Sequence, residues 1–325
     1  MFKEIVIATR SSKLAIHQTN SIVKLLKNQS KENEFRVELI TTKGDKDKRP
    51  FFAIDQNGVF EKEVNECLLQ YKADFAVHSL KDLHAGFSDK LIIASIPKRE
   101  KPYDIFINNI NNKKISELET GSIIGTSSIR RAIQIKTKYP SILIKSIRGN
   151  IEKRISKSKE KNYTGIVLAE AGLKRLGLDK IITQRLNYQT FIPSPGQGAI
   201  AIVCRKDDPN MIKTLKKIEH QSSRNEIEAE RALTDSIGAG CTVPLGALAI
   251  TNKEDNRISL IAAIYSLDGK RSIKLKEIGN AETPKKLGKK MADQLISKGA
   301  KEITIEWNKK DISKETDIIK GIIIE

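Results

Sequence analysis

Cys241 stands in the segment GAGCTVPLG (238–246), which is rich in residues that shape the backbone. Glycine adopts φ values that are closed to other residues, and Pro244 fixes its own φ and favours an extended Val243. This composition predicts a sharply bent loop that presents the thiol to solvent. An accessible thiol is reactive where neighbouring groups lower its pKa, so Cys241 is the candidate reactive cysteine.

The other two cysteines are typical of buried core positions. Cys67 lies in EKEVNECLLQY at the spacing of one helix face, and Cys204 ends the short apolar run AIAIVC. Both are therefore expected to be inert thiols. Three cysteines, an odd number without a CxxC pair, also argue against a disulfide framework or a zinc site.

Arginine is clustered in the middle of a chain that otherwise prefers lysine. Five arginines within 46 residues lie near the ends of predicted strands or helices: Arg130, Arg131, Arg148, Arg154 and Arg175. The guanidinium group binds carboxylates and phosphates through two parallel hydrogen bonds, which lysine cannot do. The cluster therefore indicates a site for such anions, with an ordinary solvated basic face as the alternative.

Asp82 is a carboxylate placed where catalysis would need one. It belongs to HSLKD (78–82), next to Lys81, where the strand predicted over residues 73–80 ends. Ligands of open α/β sheets bind beyond the carboxyl ends of the strands, so this pair is expected to face a cleft. An aspartate after a strand is more often a turn or capping residue, and that alternative stands for Asp82 taken alone.

The elements that must position these residues form two similar cycles of strands and helices. ATRSSKLAIHQ (8–18) and GTSSIRRAIQI (125–135) both contain a strand, a threonine, a serine pair and a helix. Each serine pair is expected to cap its helix. A helix N-terminus also attracts anions, so two such ends facing each other across a cleft could bind one in addition.

The alternation of strands and helices predicts an α/β fold of two lobes, followed by a smaller α+β domain. Segments rich in proline or glycine, at 97–104 and 191–198, mark two hinge crossings between the lobes. Residues 199–204 would then return to the first sheet. We expect three domains with these boundaries: residues 1–97 together with 197–216, residues 98–196, and residues 217–325.

The composition argues against several classes of protein. The net charge of +18 suggests an anionic partner, but lysine is spread along the whole chain and aromatic residues make up only 5%. A stacking platform for single-stranded nucleic acid is therefore not expected. No apolar run approaches the roughly 20 residues of a membrane span, and the first residues lack a secretory pattern. The expectation is a soluble cytoplasmic protein.

Eight motifs follow one another along nearly the whole chain. In order they are IATRSSKLA, TKGD, HSLKD, IGTSSIRRAIQ, RGNIEKR, LAEAGLKRLGL, PSPGQGA and ERAL…GAGCTVPLGA. Any one of them is a weak signal, but their order and spacing together are specific. The chain thereby resembles the hydroxymethylbilane synthase family, whose members are also called porphobilinogen deaminases.

This resemblance implies a fold, a cofactor and a reaction. Two lobes like those of periplasmic binding proteins would precede a third domain, in which Cys241 carries a dipyrromethane cofactor through a thioether. The enzyme would assemble this cofactor from its own substrate. It would then join four porphobilinogen molecules head to tail, each with loss of ammonia, to give linear hydroxymethylbilane for tetrapyrrole (haem) biosynthesis. We expect a monomer without a metal, a nucleic-acid partner or a membrane partner.

The resemblance also implies roles for individual residues. Asp82 would assist deamination, stabilise the cationic pyrrole and help to deprotonate it, because a carboxylate suits a developing positive charge. Phe60 would belong to a lid. The carboxylates of substrate and cofactor would be bound by a set of basic and hydroxyl side chains: Arg10, Ser12, Lys81, Ser128, Arg130, Arg131, Arg148, Arg154 and Arg175.

Two positions depart from the family pattern. The family's glycine-rich loop commonly reads G-K-G-x-F, whereas this chain has Asn57 in QNGVF (56–60), so a lysine contact is lost while Phe60 is kept. The family commonly has proline two residues after the aspartate of HS-x-K-D, where this chain has His84. The loop after Asp82 is therefore expected to differ slightly in geometry.

Two other classes of function compete with the enzyme. A non-catalytic, two-lobed protein that binds anions or solutes would share the layout and the helix N-termini. It would leave Cys241 and the third domain unexplained. A nucleic-acid-binding protein has only the net charge in its favour.

Overall fold

Apolar strands alternate with amphipathic helices through the first two thirds of the chain, and these strands build two sheets. The computed structural model describes residues 3–30, 33–46, 58–84, 86, 88–160, 162–238, 243–266 and 268–308. Within these ranges the chain forms two five-stranded sheets and one three-stranded sheet.

The first lobe begins with a buried strand and a helix that a serine starts. Ser12 accepts a hydrogen bond from the Ala15 N–H at 3.3 Å, which satisfies one of the donors at the helix N-terminus. The elements of this lobe before the first crossing are β1 (Lys3–Arg10), α1 (Lys13–Gln29), β2 (Asn33–Ile40), α2 (Lys43–Lys46), α3 (Lys62–Leu69), β3 (Phe75–Ser79) and β4 (Leu91–Ser95).

The second lobe repeats this beginning. Ser128 starts a helix by accepting from the Arg131 N–H, at 3.5 Å. Its elements are β5 (Asp104–Asn108), β6 (Ile123–Gly125), α4 (Ile129–Lys138), β7 (Leu143–Lys145), α5 (Ile151–Glu160), β8 (Gly165–Ala169), α6 (Glu170–Arg175) and β9 (Gln184–Arg185).

The chain then crosses back and completes the first sheet with β10 (Ile200–Arg205), followed by α7 (Pro209–Lys216). The strand orders are β2-β1-β3-β10-β4 in the first lobe and β7-β6-β8-β5-β9 in the second. In both sheets the first three strands are parallel and the fourth is antiparallel to its neighbours. Each antiparallel strand directly follows a crossing, so the two crossings tie the lobes together.

The two crossings run side by side. The Glu100 N–H donates to the Gly198 carbonyl at 3.2 Å. Gly198 has φ +87, and a Cβ there would lie 2.4 Å from the Glu100 carbonyl oxygen. Only glycine therefore allows the two backbones to approach this closely.

The last third of the chain forms a three-stranded antiparallel sheet covered by helices. Its elements are α8 (Gln221–Ile237), β11 (Leu245–Asn252), β12 (Arg257–Tyr265), β13 (Ser272–Asn280), α9 (Pro284–Ser297) and α10 (Ala300–Asn308). Leu233 of α8, Leu260 of β12 and Met291 of α9 belong to one buried cluster, which also includes Ile133 and Ile192 of the second lobe.

The observed elements confirm the predicted fold class, and they refine its details. The helix predicted over residues 61–71 ends at Leu69, because Tyr71 has φ +57 and leaves the helical region. The segment predicted as a linker ends in β5, which starts at Asp104. Strand β4 was not predicted at all. The exact domain boundaries stay a prediction.

Candidate active site

Asp82 and Lys81 lie in a 3-10 turn, Leu80–Asp82, at the carboxyl end of β3. Leu80 is buried, and its N–H donates to the Ala199 carbonyl at 3.0 Å. Gly196 of the second crossing packs directly against this turn, since a Cβ there would lie 2.3 Å from Leu80 Cδ2. The turn is thus anchored by the sheet and the crossing, and it leaves Asp82 half-exposed.

Two arginines of the second lobe, Arg131 and Arg154, lie within electrostatic reach of this turn, and a third, Arg148, lies near Arg154. Arg131 and Arg154 both act on Lys81, and Arg154 is also attracted by Asp82 and repelled by Arg148. The two lobes therefore bring together five of the residues predicted to form the site.

The cations of this cluster disturb one another. Lys81 is open to water at the surface of a cleft but is surrounded by protein. The surrounding protein lowers the pKa of Lys81, and so does repulsion by Arg131 and Arg154, while Asp82 opposes both. Burial, together with repulsion from Arg131 and Arg148, likewise lowers the pKa of Arg154 to about 10. Positive charges held together against their repulsion favour the binding of an anion between them.

Asp104 organises two of the predicted arginines, although no sequence motif indicated it. Its Oδ1 accepts from Arg131 at 2.8 and 3.0 Å, and its Oδ2 accepts from Arg130 at 2.9 Å. Burial alone would raise the pKa of Asp104, but the two guanidinium groups hold it well below its usual range. Gln197 joins this network by donating to Asp104 Oδ1 at 2.8 Å and accepting from Arg131 at 3.3 Å.

Arg130 is fixed mainly by protein groups. Besides Asp104, it donates to the Ile192 carbonyl at 2.5 Å and to Gln134 Oε1 at 3.3 Å. Only 5% of the residue is exposed. The structure therefore holds Arg130 beneath the cleft, where it supports Asp104.

The other predicted ligands lie around the cluster on different elements. Arg10 ends β1, forms an ion pair with Asp45 at 2.5 Å, and stacks over the Phe60 ring with its guanidinium carbon 4.1 Å from the ring centre. Arg175 ends α6 and donates to the Gly198 carbonyl at 2.7 Å. Burial lowers the pKa of Arg175 to about 10.

The Cys241 loop is only partly described. Helix α8 ends at Ile237, and Gly238 closes it in the left-handed conformation with φ +66. Residues 239–242, including Cys241, lie outside the described residues, as does the segment 51–57 with Asn57.

Of the two remaining cysteines, Cys204 lies in the core as predicted, whereas Cys67 lies at the edge of a core cluster. Cys204 is fully buried in β10, and burial raises the pKa of its thiol to about 12. Cys67 is half-buried, and burial also raises the pKa of its thiol. Both thiols therefore stay protonated at neutral pH and are poor nucleophiles.

A dipyrromethane with several carboxylates fits the chemistry of this cleft. Lys81 and Arg154, one from each lobe, lie near Asp82, and the repulsion among the cations of this cluster would be relieved by carboxylates. Helix α8, in the third part of the chain, directly precedes the segment that contains Cys241, the proposed attachment point.

In the parts of the chain that the structure describes, no group of three or more His, Cys, Asp and Glu side chains is arranged to hold a metal ion. Across the same ranges no helix is both long and apolar enough to cross a membrane.

These features define a class of protein: a two-lobed α/β protein with a third α+β part, in which clustered cations from both lobes lie near the carboxylate of Asp82. The match to family models narrows this class. Residues 5–213 match the model described as porphobilinogen deaminase, dipyromethane cofactor binding domain, and residues 225–297 match the C-terminal domain of the same enzyme.

Curated relatives agree over nearly the full length. A probable porphobilinogen deaminase of Nitrosopumilus maritimus is 46% identical over 94% of this chain and 97% of its own. The porphobilinogen deaminase of Bacillus mycoides is 40% identical, over 94% of this chain and 99% of its own. The methionine-binding protein MetQ is a structural match at a TM-score of 0.42 and 11% identity, over 66% of this chain and 89% of its own.

The chain belongs to the porphobilinogen deaminase family. This confirms the resemblance predicted from the eight motifs, and the matched domain confirms the dipyrromethane cofactor. The roles of the individual site residues, including Cys241, stay predictions.

Proposed function

We propose that this chain is a hydroxymethylbilane synthase. It joins four porphobilinogen molecules head to tail, releases one ammonia for each, and takes up water when linear hydroxymethylbilane leaves. The observation that carries this assignment is the meeting of Lys81, Asp82, Arg131, Arg148 and Arg154 between the two lobes.

The cations bind and orient the substrate. Each porphobilinogen has an acetate and a propionate, which guanidinium groups can bind through two hydrogen bonds. Arg148 and Arg154 come from the second lobe and Lys81 from the first, so one substrate can contact both lobes at once. Binding between them holds the reacting carbons in one orientation, which lowers the entropic cost of joining them.

Asp82 acts beside Lys81 and Arg154. Its carboxylate stabilises the positive charge that develops when ammonia leaves, and it can accept the proton that the newly joined pyrrole carbon loses. The 3-10 turn at the end of β3 fixes its backbone, so it needs little rearrangement during the reaction.

Cys241 is the proposed point of covalent attachment. When bound, the dipyrromethane supplies the nucleophilic pyrrole carbon to which the first substrate is joined. High pKa values keep the thiols of Cys67 and Cys204 protonated, which supports Cys241 as the anchor. A covalent anchor also retains the growing chain through four cycles.

We further propose that the enzyme acts as a cytoplasmic monomer without nucleic acid. The spread of lysine along the chain and the 5% aromatic content support the absence of a nucleic-acid site. Size-exclusion chromatography with light scattering tests the monomer, and a dimer mass would contradict it.

The direct test of the function is incubation of the purified protein with porphobilinogen. We expect consumption of porphobilinogen, release of ammonia in equal amount, and formation of a linear bilane. Folded protein that carries the cofactor but leaves porphobilinogen intact would contradict the assignment. It would favour a binding protein without catalysis.

A further inference from the structure

Glu61 is a buried carboxylate close to Asp82. It precedes α3, directly after Phe60, and only 5% of the residue is exposed. Its Oε2 accepts from the backbone N–H of His84 at 2.8 Å. Burying a carboxylate costs free energy unless hydrogen bonds offset its loss of contact with water. The placement of Glu61 at this turn therefore indicates a role there.

The contact depends on a position where this chain departs from the family. Proline, which the family commonly has there, carries no N–H, whereas His84 offers one. Leu83 has φ −91 and ψ 115, the extended conformation that a residue before proline also adopts. The backbone of the turn therefore suits either residue, and histidine adds a donor that Glu61 binds.

The same turn is approached from the third part of the chain. Arg231 of α8 lies with its guanidinium 3.5 Å from the Leu83 carbonyl, and it attracts Glu61 electrostatically. Helix α8 leads into the Cys241 loop. The backbone that follows Asp82 is thus contacted by Glu61 on one lobe and by the helix that leads to the cofactor loop.

We propose that Glu61 is a positioning residue for Asp82, because its bond to the His84 N–H holds the turn that carries Asp82 against the start of α3. This proposal rests on the proposed function, in which Asp82 acts on porphobilinogen. Phe60 precedes Glu61 and stacks on Arg10, so the same bond connects the turn to that segment.

The protonation of Glu61 makes the hold on the turn that carries Asp82 depend on pH. Burial and repulsion by Asp82 raise the pKa of Glu61 to about 7, against the opposing effects of the His84 N–H and of Arg231. Among the described residues, the charged groups that act on Glu61 are Asp82 of the turn and Arg231 of α8, and His84 contacts it through its backbone N–H. An ionised Glu61 accepts the His84 N–H more strongly than a neutral one, so the turn is held more firmly above pH 7.

A double-mutant cycle tests the positioning role. E61V leaves the His84 N–H without its acceptor, and we expect kcat to fall about tenfold with little change in KM. H84P removes the donor, so the E61V/H84P variant should recover most of that loss. If the fold-losses in kcat of E61V and H84P multiply in the double variant, the proposal is overturned, because the Glu61 carboxylate and the His84 N–H then act independently.

The pH profile gives an independent readout. Glutamine can accept the His84 N–H but cannot ionise, so E61Q should match the unmodified chain near pH 6 and be about threefold slower near pH 8. A ratio of the two kcat values that stays constant from pH 6 to pH 8 would overturn the proposal. Taking this ratio cancels the titration of porphobilinogen itself.

Two controls separate this proposal from the proposed function. E66Q removes an exposed carboxylate from the same helix, where Glu66 accepts from the Gln70 side chain at 2.8 Å, and should behave like the chain of unchanged sequence. Intact mass must show the cofactor on every variant. If the chain of unchanged sequence carries the cofactor but is inactive, the proposed function is refuted. If that chain is active and the Glu61 variants are as active as it is, only the positioning role is refuted.

Discussion

At the scale of single residues, the site combines one half-exposed carboxylate with cations that repel one another. The surrounding protein and repulsion from Arg131 and Arg154 lower the pKa of Lys81, which lies beside Asp82. Such a cluster is stable only if an anion completes it or if other contacts hold it in place. The carboxylates of a pyrrole substrate meet this requirement.

Replacement of Asp82 by alanine should remove turnover and preserve the attached cofactor. Loss of a group that assists proton transfer and stabilises charge lowers kcat by roughly 100-fold to 10,000-fold. Bilane formation measures the loss, and intact mass verifies the cofactor. D89A, which removes an exposed carboxylate seven residues later, is the matched control. Near-normal turnover by D82A would refute the role of Asp82.

Glu61 should also affect stability in a pH-dependent way. Its pKa is about 7 in the folded protein and 4.5 without perturbation, so folding favours the protonated form. The stabilisation is complete below pH 4.5 and is lost as the pH rises through 7, by about 3 kcal/mol. E61Q cannot ionise and should lack this loss.

Urea unfolding at pH 5 and pH 8 measures the effect. We expect the free energy of unfolding of E61Q, relative to the unmodified chain, to rise between the two values, while E66Q shows no such rise. An equal pH dependence for E61Q and the unmodified chain would mean that Glu61 is already ionised at pH 5.

At the scale of elements, the local signals that positioned Asp82 were strong. The apolar run before HSLKD predicted a strand, and the strand β3 ends at Ser79, so the turn with Asp82 follows it as expected. Serine pairs predicted the starts of α1 and α4, because capping depends on neighbouring residues alone.

Features that depend on distant residues were not predictable from the sequence. Asp104 pairs with Arg130 and Arg131, which are 26 and 27 residues away, and no local pattern indicates such a pair. The two-residue strand β9 is too short to show any periodicity. His84, as a departure from the family pattern, predicted an altered loop. Its contact with Glu61 joins residues that are distant in the sequence, so only the fold reveals it.

The paired crossings make Gly198 a sensitive position. G198A would bring a Cβ to 2.4 Å from the Glu100 carbonyl oxygen at φ +87. Gly121 has a similar φ of +83 and no atom within 4 Å of its Cβ position, so G121A isolates the backbone strain of about 1–2 kcal/mol. We expect a lower free energy of unfolding for G198A than for G121A, measured in urea. Equal free energies of unfolding for G198A and G121A would show that the two crossings can move apart here without loss of stability.

At the scale of the whole molecule, one buried carboxylate joins both crossings to the third part of the chain. Glu230 of α8 is 0% exposed and accepts from Arg99 at 2.7 and 3.1 Å. It also accepts from the backbone N–H groups of Gly196 and Ala249, at 2.7 and 2.8 Å. The position of α8 relative to the lobes therefore depends on this side chain.

Replacement of Glu230 by glutamine should destabilise the protein strongly. Arg99 would lose its nearer carboxylate and keep only that of Glu226 at 3.6 Å, so the cost should approach that of a fully broken buried pair, about 3–5 kcal/mol. Chemical unfolding measures the loss, with E228Q as the control, because Glu228 is partly exposed and its distance to Lys285 is 4.0 Å. A loss as small as that of E228Q would show that other contacts align the crossings with α8.

The central claim is that Cys241 anchors a chain that grows between the lobes, and intact-mass spectrometry tests it most directly. We predict a starting mass above that of the sequence by one dipyrromethane. Limited porphobilinogen should then add successive units of porphobilinogen minus ammonia. C241S should show the bare sequence mass and no additions, whereas C67S should keep both. Additions that survive in C241S, or turnover by a chain of unmodified mass, would contradict the account.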